Sequence, residues 1–210
     1  MAPYNTNEVY KISFLRNGML KLEGPNLVGN NNMIPISIIN KSGEMLFKIE
    51  CCELTELDCN LFIVCKYIEG KSFYGVIDYK GNEVIKPKYD GIMLSPTESG
   101  FIFSLNEKMG IVDFNGVEVF PAIYNSILEF KDGLAAAELF NKWGFIDARG
   151  NVRIPFEFED VNSFHNELAM VKIYGKWGFI NKSGEIKIKP TFYDNEVCNF
   201  SKALQAHRKR

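Results

Sequence analysis

Lys142-Trp143-Gly144-Phe145-Ile146-Asp147-Ala148-Arg149-Gly150 returns as Lys176-Trp177-Gly178-Phe179-Ile180-Asn181-Lys182-Ser183-Gly184, a period of 34 measured from Gly144 to Gly178. Self-similarity at a period of roughly 20–50 residues marks an array of small units, each unable to bury its own apolar face. Weaker copies precede these two. Met109-Gly110-Ile111-Val112-Asp113 leads to Gly116, Tyr74-Gly75-Val76-Ile77-Asp78 leads to Gly81, and Ser37-Ile38-Ile39-Asn40 leads to Gly43. The drift toward the N-terminus suits an array whose first unit is atypical, as capping units are.

Two further patterns keep step with the glycines. Pro87, Pro121, Pro155 and Pro190 follow them by five or six residues, each ahead of an aromatic with an acid or amide: Tyr89-Asp90, Tyr124-Asn125, Phe158-Glu159 and Tyr193-Asp194. Then come Phe130-x-x-Gly133-Leu134-Ala135, Phe164-x-x-Glu167-Leu168-Ala169 and Phe200-x-x-Ala203-Leu204. Each unit thus holds three apolar runs of strand length, in the fourth unit Leu134–Leu139, Trp143–Ile146 and Val152–Pro155. Leu134–Leu139 contains three alanines and could be helical on propensity, but its equivalents Ile63-Val64-Cys65 and Phe101-Ile102-Phe103 read as strand. Asp147-Ala148-Arg149-Gly150 puts Asp at the start of a type I turn and Gly where φ must be positive, a hairpin solution repeated at Asn181–Gly184 and Asp113–Gly116. Phe140-Asn141-Lys142 and Gly175-Lys176 are also hairpin-like. The proline is expected to stop the ladder and shorten the third strand.

These readings predict an all-β protein: a tandem array of about five three-stranded antiparallel units wound as a solenoid-like superhelix. A closed five-bladed propeller-like array is the alternative, disfavoured because 34 residues is short for a four-stranded blade. Residues 1–210 are expected to form a single array. Residues 1–50 are its degenerate N-terminal capping unit with a loop at 24–32, 51–200 its repeat units, and 201–210 a terminal strand and basic tail.

Composition excludes more than it assigns. The 210 residues carry a net charge of −2, so no general field draws the chain to nucleic acid or an anionic membrane. The run His207-Arg208-Lys209-Arg210 reads as a solvated end. No stretch approaches the roughly 18 apolar residues that span a bilayer, and the polar N-terminus shows no secretory signal, so a cytoplasmic protein is expected. The cysteines are Cys51, Cys52, Cys59, Cys65 and Cys198, four of them in one short window, which is no disulfide framework. Zinc would want pairs two to four residues apart on tight knuckles, whereas adjacent cysteines on a strand face opposite ways. Buried thiols and no metal are expected.

Lys-Trp-Gly-Phe-Ile-Asp/Asn-x-x-Gly, then Ile-x-Pro, then an aromatic with an acid, then Phe-x-x-Gly-Leu-Ala, resembles the bacterial WG-repeat (KWG motif) family. The match is strongest over 130–200 and weakest before 70. The resemblance implies tandem β-hairpin repeats, found in some members at cell surfaces and in others beside toxin or conflict systems, with no catalytic residues to carry over. The repeat positions are then structural: Gly75, Asp78, Gly81, Gly110, Asp113, Gly116, Trp143, Gly144, Asp147, Gly150, Trp177, Gly178, Asn181 and Gly184.

Trp143 and Trp177 are expected to pack between units, and Gly144 and Gly178 to admit a close backbone or mark a bulge. His165 and His207, the only histidines, have no local Ser/Cys and Asp partners, and no phosphate loop, Gly-x-Ser-x-Gly or His-Glu-x-x-His occurs. Asp90, Glu159 and Asp194 read as turn caps rather than ligand contacts. No enzyme and no cofactor are expected. The expected function is a non-catalytic scaffold for another protein, such as an immunity or regulatory subunit of a bacterial effector system. The alternative is a glycan or cell-envelope binding module that uses the repeat aromatics.

Overall fold

The computed structural model describes residues 11–25, 33–95, 100–194 and 196. The expected terminal strand and tail at 201–210, and all but Gly24 and Pro25 of the expected loop at 24–32, lie outside the described residues. The strands form five four-stranded antiparallel sheets in tandem, each in chain order. The first holds β1 (Lys11–Phe14), β2 (Leu20–Glu23), β3 (Ile34–Ile39) and β4 (Met45–Cys51), and the second β5 (Glu53–Glu56), β6 (Leu61–Ile68), β7 (Lys71–Asp78) and β8 (Glu83–Tyr89). The third holds β9 (Gly91–Leu94), β10 (Phe101–Leu105), β11 (Lys108–Val112) and β12 (Glu118–Tyr124). The fourth is β13 (Ser126–Ile127), β14 (Leu134–Leu139), β15 (Lys142–Asp147) and β16 (Val152–Phe158), and the fifth is β17 (Asp160–Val161), β18 (Leu168–Ile173), β19 (Lys176–Asn181) and β20 (Ile186–Phe192).

The expected three strands per unit are therefore four. The extra one is short, two residues at β13 and β17. It begins directly after the residue that follows the aromatic, where an alternating pattern has no room to show. A second expectation also fails. The prolines do not end the third run, because β8, β12, β16 and β20 continue through Pro87, Pro121, Pro155 and Pro190. Register explains how. Phe145 faces Ile154 and Trp143 faces Phe158, so two residues of β15 span four of β16 across a bulge. The same shift separates Val76↔Ile85 from Tyr74↔Tyr89, and Phe179↔Ile188 from Trp177↔Phe192. Pro121 and Pro155 take the first bulged position and Pro87 and Pro190 the second, which accounts for the wobble between five and six residues. A bulge on an edge strand tolerates a missing N–H. Register also moves one equivalence: Phe192, not Tyr193, corresponds to Phe158.

By contacts the chain divides into two compact units: Met1–Leu94 with Phe103–Leu105 and Phe114–Val117, and Ser95–Ile102 with Asn106–Asp113 and Glu118–Arg210. In the first, Met19, Ile36, Ile38 and Cys51 pack with Leu54, Phe62, Val64 and Ile77, joining the first sheet to the second. Phe47 meets Phe62 edge-on at 6.0 Å. In the second unit, Phe145, Ile154 and Phe158 pack with Val161, Phe164, Ala169, Val171 and Ile180, joining the fourth sheet to the fifth.

The alanines of β14 serve both sides of their sheet. Ala136 belongs to the cluster shared with the fifth sheet, while Ala135 and Ala137 belong to one with Ile102, Ile111 and Tyr124. All three are fully buried. A strand covered on both faces needs apolar residues throughout, and small ones where neighbouring sheets come close.

The hairpin turns carry the glycines into the same junctions. A Cβ at Gly81 would meet the Phe47 ring at 2.8 Å, and one at Gly116 would meet the Val84 carbonyl oxygen at 2.6 Å. At Gly150 it would collide with the Phe120 ring, and at Gly184 it would touch Ile154 at 3.6 Å. These glycines have φ near +80°, the left-handed region the turn requires. Backbone conformation and packing on the preceding sheet thus ask for glycine at one position.

Candidate interaction surface

Three kinds of repeat position build each unit. The first is the Trp-Gly step. A Cβ on Gly144 would lie 2.7 Å from the Ile154 carbonyl oxygen and 2.9 Å from the Phe156 nitrogen. One on Gly178 would lie 2.5 Å from the Ile188 carbonyl oxygen and 2.7 Å from the Pro190 nitrogen. One on Gly75 would collide with the Ile85 carbonyl oxygen. The glycine thus sits under the arch of the bulged edge strand, and a side chain there would strike backbone. Gly110 lies in β11 between Met109 and Ile111, where the same shift occurs.

The tryptophans differ from one another. Trp177 is 7 % exposed, and its indole Nε1–H donates to Asp194 Oδ1 at 2.7 Å. Lys172 Nζ donates to both Asp194 oxygens at 2.9 and 3.0 Å and stands 5.7 Å from the indole centroid. The Lys172 ammonium, then the indole, hold the Asp194 carboxyl below its ordinary range, and Asp194 in return raises Lys172. Asp194 is therefore a partner of the tryptophan rather than a turn cap. Trp143 is half-buried against the cluster of Phe145 and Phe164. Its counterparts are Met109, whose sulfur accepts the Ile127 N–H, and Tyr74, which pairs across the ladder with Cys65.

The second kind is the turn acid or amide. Asp147 Oδ1 accepts from Arg149 N at 3.0 Å and Asn151 N at 2.9 Å, and the Asn151 amide donates to the other oxygen at 3.0 Å. Asp78 makes the same set with Lys80 and Asn82. Asn181 and Asn40 accept the equivalent two backbone N–H groups. Burial pushes the Asp147 and Asp78 carboxyls up, yet the side-chain and backbone donors around them outweigh it and lower both. Asp113 stands at the start of the matching turn, where Gly116 has φ +81°.

The third kind was legible in the sequence only as hairpin turns at Phe140-Asn141-Lys142 and Gly175-Lys176, without their exposed rings. The tips of the β14–β15 and β18–β19 hairpins are two-residue turns, Phe140-Asn141 and Tyr174-Gly175, closed by Leu139↔Lys142 and Ile173↔Lys176. Phe140 is 87 % and Tyr174 92 % exposed, at φ +51° and +48°. A bulky aromatic in the left-handed region carries a conformational cost, and here it gains no burial in return. The equivalent tips use Glu69-Gly70 and Asn106-Glu107, also at positive φ but with polar side chains or none. Glu159 Oε2 accepts the Gly175 N–H at 2.9 Å and so braces the second aromatic tip. The available signal was an aromatic recurring at 34 residues inside a hairpin turn rather than a strand.

Among the described residues Cys51, Cys52 and Cys65 lie close together, Cys59 and His165 are exposed, and Cys198 lies outside those residues. Cys51 and Cys65 are buried, Cys52 is half-buried and Cys59 is exposed. Burial, then the neighbouring Cys52 and Cys65, push the Cys51 thiol up to about 12, so the free thiol keeps its proton near neutral pH. Among the described residues no three His, Cys, Asp or Glu side chains are grouped to hold a metal ion. His165 is exposed and forms an isolated antiparallel bridge with Leu168, its backbone N–H donating to the Leu168 carbonyl at 2.8 Å. A cleft of about 460 Å³ in the first unit is lined by Lys11, Lys21, Glu23, Cys52, Glu53 and Glu56, among others. Its lysines already pair with Glu23, at 3.5 and 2.8 Å. No helix among the described residues is long and apolar enough to cross a membrane.

A family model described as a WG containing repeat matches residues 74–103, 109–143, 143–177 and 177–194. All four segments open on the Trp-position residue: Tyr74, Met109, Trp143 or Trp177. No curated protein matches the chain significantly. Among solved structures, a crystal structure of the eukaryotic initiation factor aligns with 89 % of this chain and 56 % of its own, at 9 % identity and a TM-score of 0.53. KlHsv2 with loop 6CD replaced by a Gly-Ser linker aligns with 85 % of this chain and 64 % of its own, at 10 % identity and a TM-score of 0.41. TolB from Acinetobacter baumannii aligns with 85 % of this chain and 53 % of its own, at 10 % identity and a TM-score of 0.34. The first likeness concerns the fold alone, and the chain spans less than two thirds of the length of each.

Proposed function

Because this chain belongs to the WG-containing repeat family, whose model matches more than half of it, we propose that it is a non-catalytic scaffold that binds another protein through its hairpin tips. The observation that carries this reading is the pair Phe140 and Tyr174: two rings at equivalent places in successive repeats, almost wholly exposed and held at positive φ. Aromatic side chains on a rigid framework dominate binding energy at protein interfaces, since they bury much area at little entropic cost. Such a scaffold suits an immunity or regulatory subunit of a bacterial effector system acting in the cytoplasm. The raised, protonated Cys51 thiol supports a role in which this cysteine is not a nucleophile.

The four-stranded unit removes the objection from repeat length to a closed, propeller-like array, so that form stands beside the solenoid-like one. Glycan binding through the motif tryptophans is the weaker reading. Trp177 offers almost no free ring face, and its N–H is engaged by Asp194.

The test is quantitative affinity capture from the native host, comparing the wild type with Phe140→Ser/Tyr174→Ser. A stoichiometric partner is expected with the wild type and at least tenfold less of it with the variant, whose melting temperature should be unchanged. Equal recovery by both proteins, or none by either, overturns the assignment.

A further inference from the structure

The junction between successive sheets has two sides, and the chain supplies several worked examples of how they fit. One side is an apolar residue of the fourth strand: Ile85 and Ile154, buried at 2 % and 1 % exposure. Gly184 rests on Ile154, and Gly116 lies beside Ile85. The other side is an apolar residue of the first strand. Leu54, Ile127 and Val161 are 3 %, 7 % and 3 % exposed, each in a cluster with residues of the preceding sheet.

The fifth and first sheets carry these same two positions with a different outcome. Register places Ile188 where Ile154 stands, each facing the Phe of its Trp-Gly-Phe, yet Ile188 is 38 % exposed. Register likewise places Ile12 where Leu54 stands, since Ile12 faces Leu22 as Leu54 faces Val64, yet Ile12 is 61 % exposed. Both sheets keep an isoleucine at these positions, and Phe14 on β1 is 85 % exposed.

We propose that the β20 face of one copy, centred on Ile188, seats the β1 edge of a second copy, centred on Ile12, in a head-to-tail contact that repeats the junction found inside the chain. The occupant is a second copy because the complementary surface is already part of this chain. Val161 and Ile154 share the cluster of the fourth and fifth sheets, the kind of shared burial that Ile12 and Ile188 would gain. The contact is heterologous, with different surfaces on the two copies, so each copy keeps one unused end and growth beyond a dimer is permitted.

Sedimentation velocity on the whole chain over a concentration series tests this. The wild type should show a weight-average mass that rises with concentration. Ile12→Lys and Ile188→Lys should each be monomeric alone. Mixed in equal amounts they should form a heterodimer that grows no further, since each retains the end that the other lacks. The double variant should remain monomeric when mixed with itself. Both substitutions are at exposed positions, and circular dichroism should show the wild-type spectrum. A wild type that stays monomeric at every concentration overturns the proposal, and so does a mixture of the single variants that stays monomeric. Association that survives both substitutions also overturns it. None of these outcomes depends on the hairpin tips, so failure here leaves the partner-binding reading standing.

Discussion

Gly178 shows how one missing side chain organises a unit. The bulged strand arches over it, with the Ile188 carbonyl oxygen 2.5 Å and the Pro190 nitrogen 2.7 Å from where a Cβ would be. Both are backbone atoms, so no rotamer change relieves the clash. Gly178→Ala is therefore expected to destabilise the protein by about 2–3 kcal/mol, as overpacking does when the backbone must shift. Urea denaturation of the variant measures this, and a midpoint unchanged from the wild type would show that the arch is not fixed. The neighbouring tryptophan is more replaceable: Tyr74 and Met109 occupy its place in other units, and burying the Trp177 ring contributes about 3 kcal/mol by area.

The turn after the third strand is the element that recurs most faithfully. Its acid or amide accepts two backbone N–H groups, and either chemistry suffices, since Asn181 and Asn40 make the bonds that Asp147 and Asp78 make. Asp147→Ala should cost about 1 kcal/mol, the usual worth of such hydrogen bonds, and Asp147→Asn should recover most of it. The two differ in pH dependence. The Asp147 and Asp78 carboxyls titrate lower in the folded chain than in the unfolded one. Their contribution is fully present above the ordinary carboxylate range and is lost as pH falls through the lowered folded values. Asp78→Asn/Asp147→Asn should therefore flatten the acid limb of stability against pH, read as urea midpoints between about pH 5 and 2. An acid limb as steep as that of the wild type would refute the assignment.

For the whole molecule, the clusters decide what can be removed. The fourth sheet buries Phe145, Ile154 and Phe158 only with help from Val161, Phe164, Ala169, Val171 and Ile180 of the fifth. A chain ending at Glu159 should lose cooperative folding of its second unit, bind a hydrophobic dye and aggregate. Differential scanning calorimetry compares the truncated with the full chain, and an unchanged transition would mean that the sheets do not depend on their neighbours. Such dependence is the expected behaviour of a quasi-one-dimensional array.

The 34-residue recurrence, the Asp/Asn-x-x-Gly turns and the apolar runs were enough to establish strands, antiparallel hairpins and family membership, because each is a local rule that every unit restates. Leu134–Leu139 was legible as strand against its own alanine content for the same reason: its repeat partners outvoted its propensity. The fourth strand, the passage of β16 through Pro155 and the displaced equivalence of Phe192 were decided only by tertiary structure. A two-residue strand has no period, and a bulge is visible only in the partner it faces. The exposed rings of Phe140 and Tyr174 belong with these. An aromatic in a sequence promises burial, and only the placement of its hairpin tip beyond the last ladder pair leaves it in water.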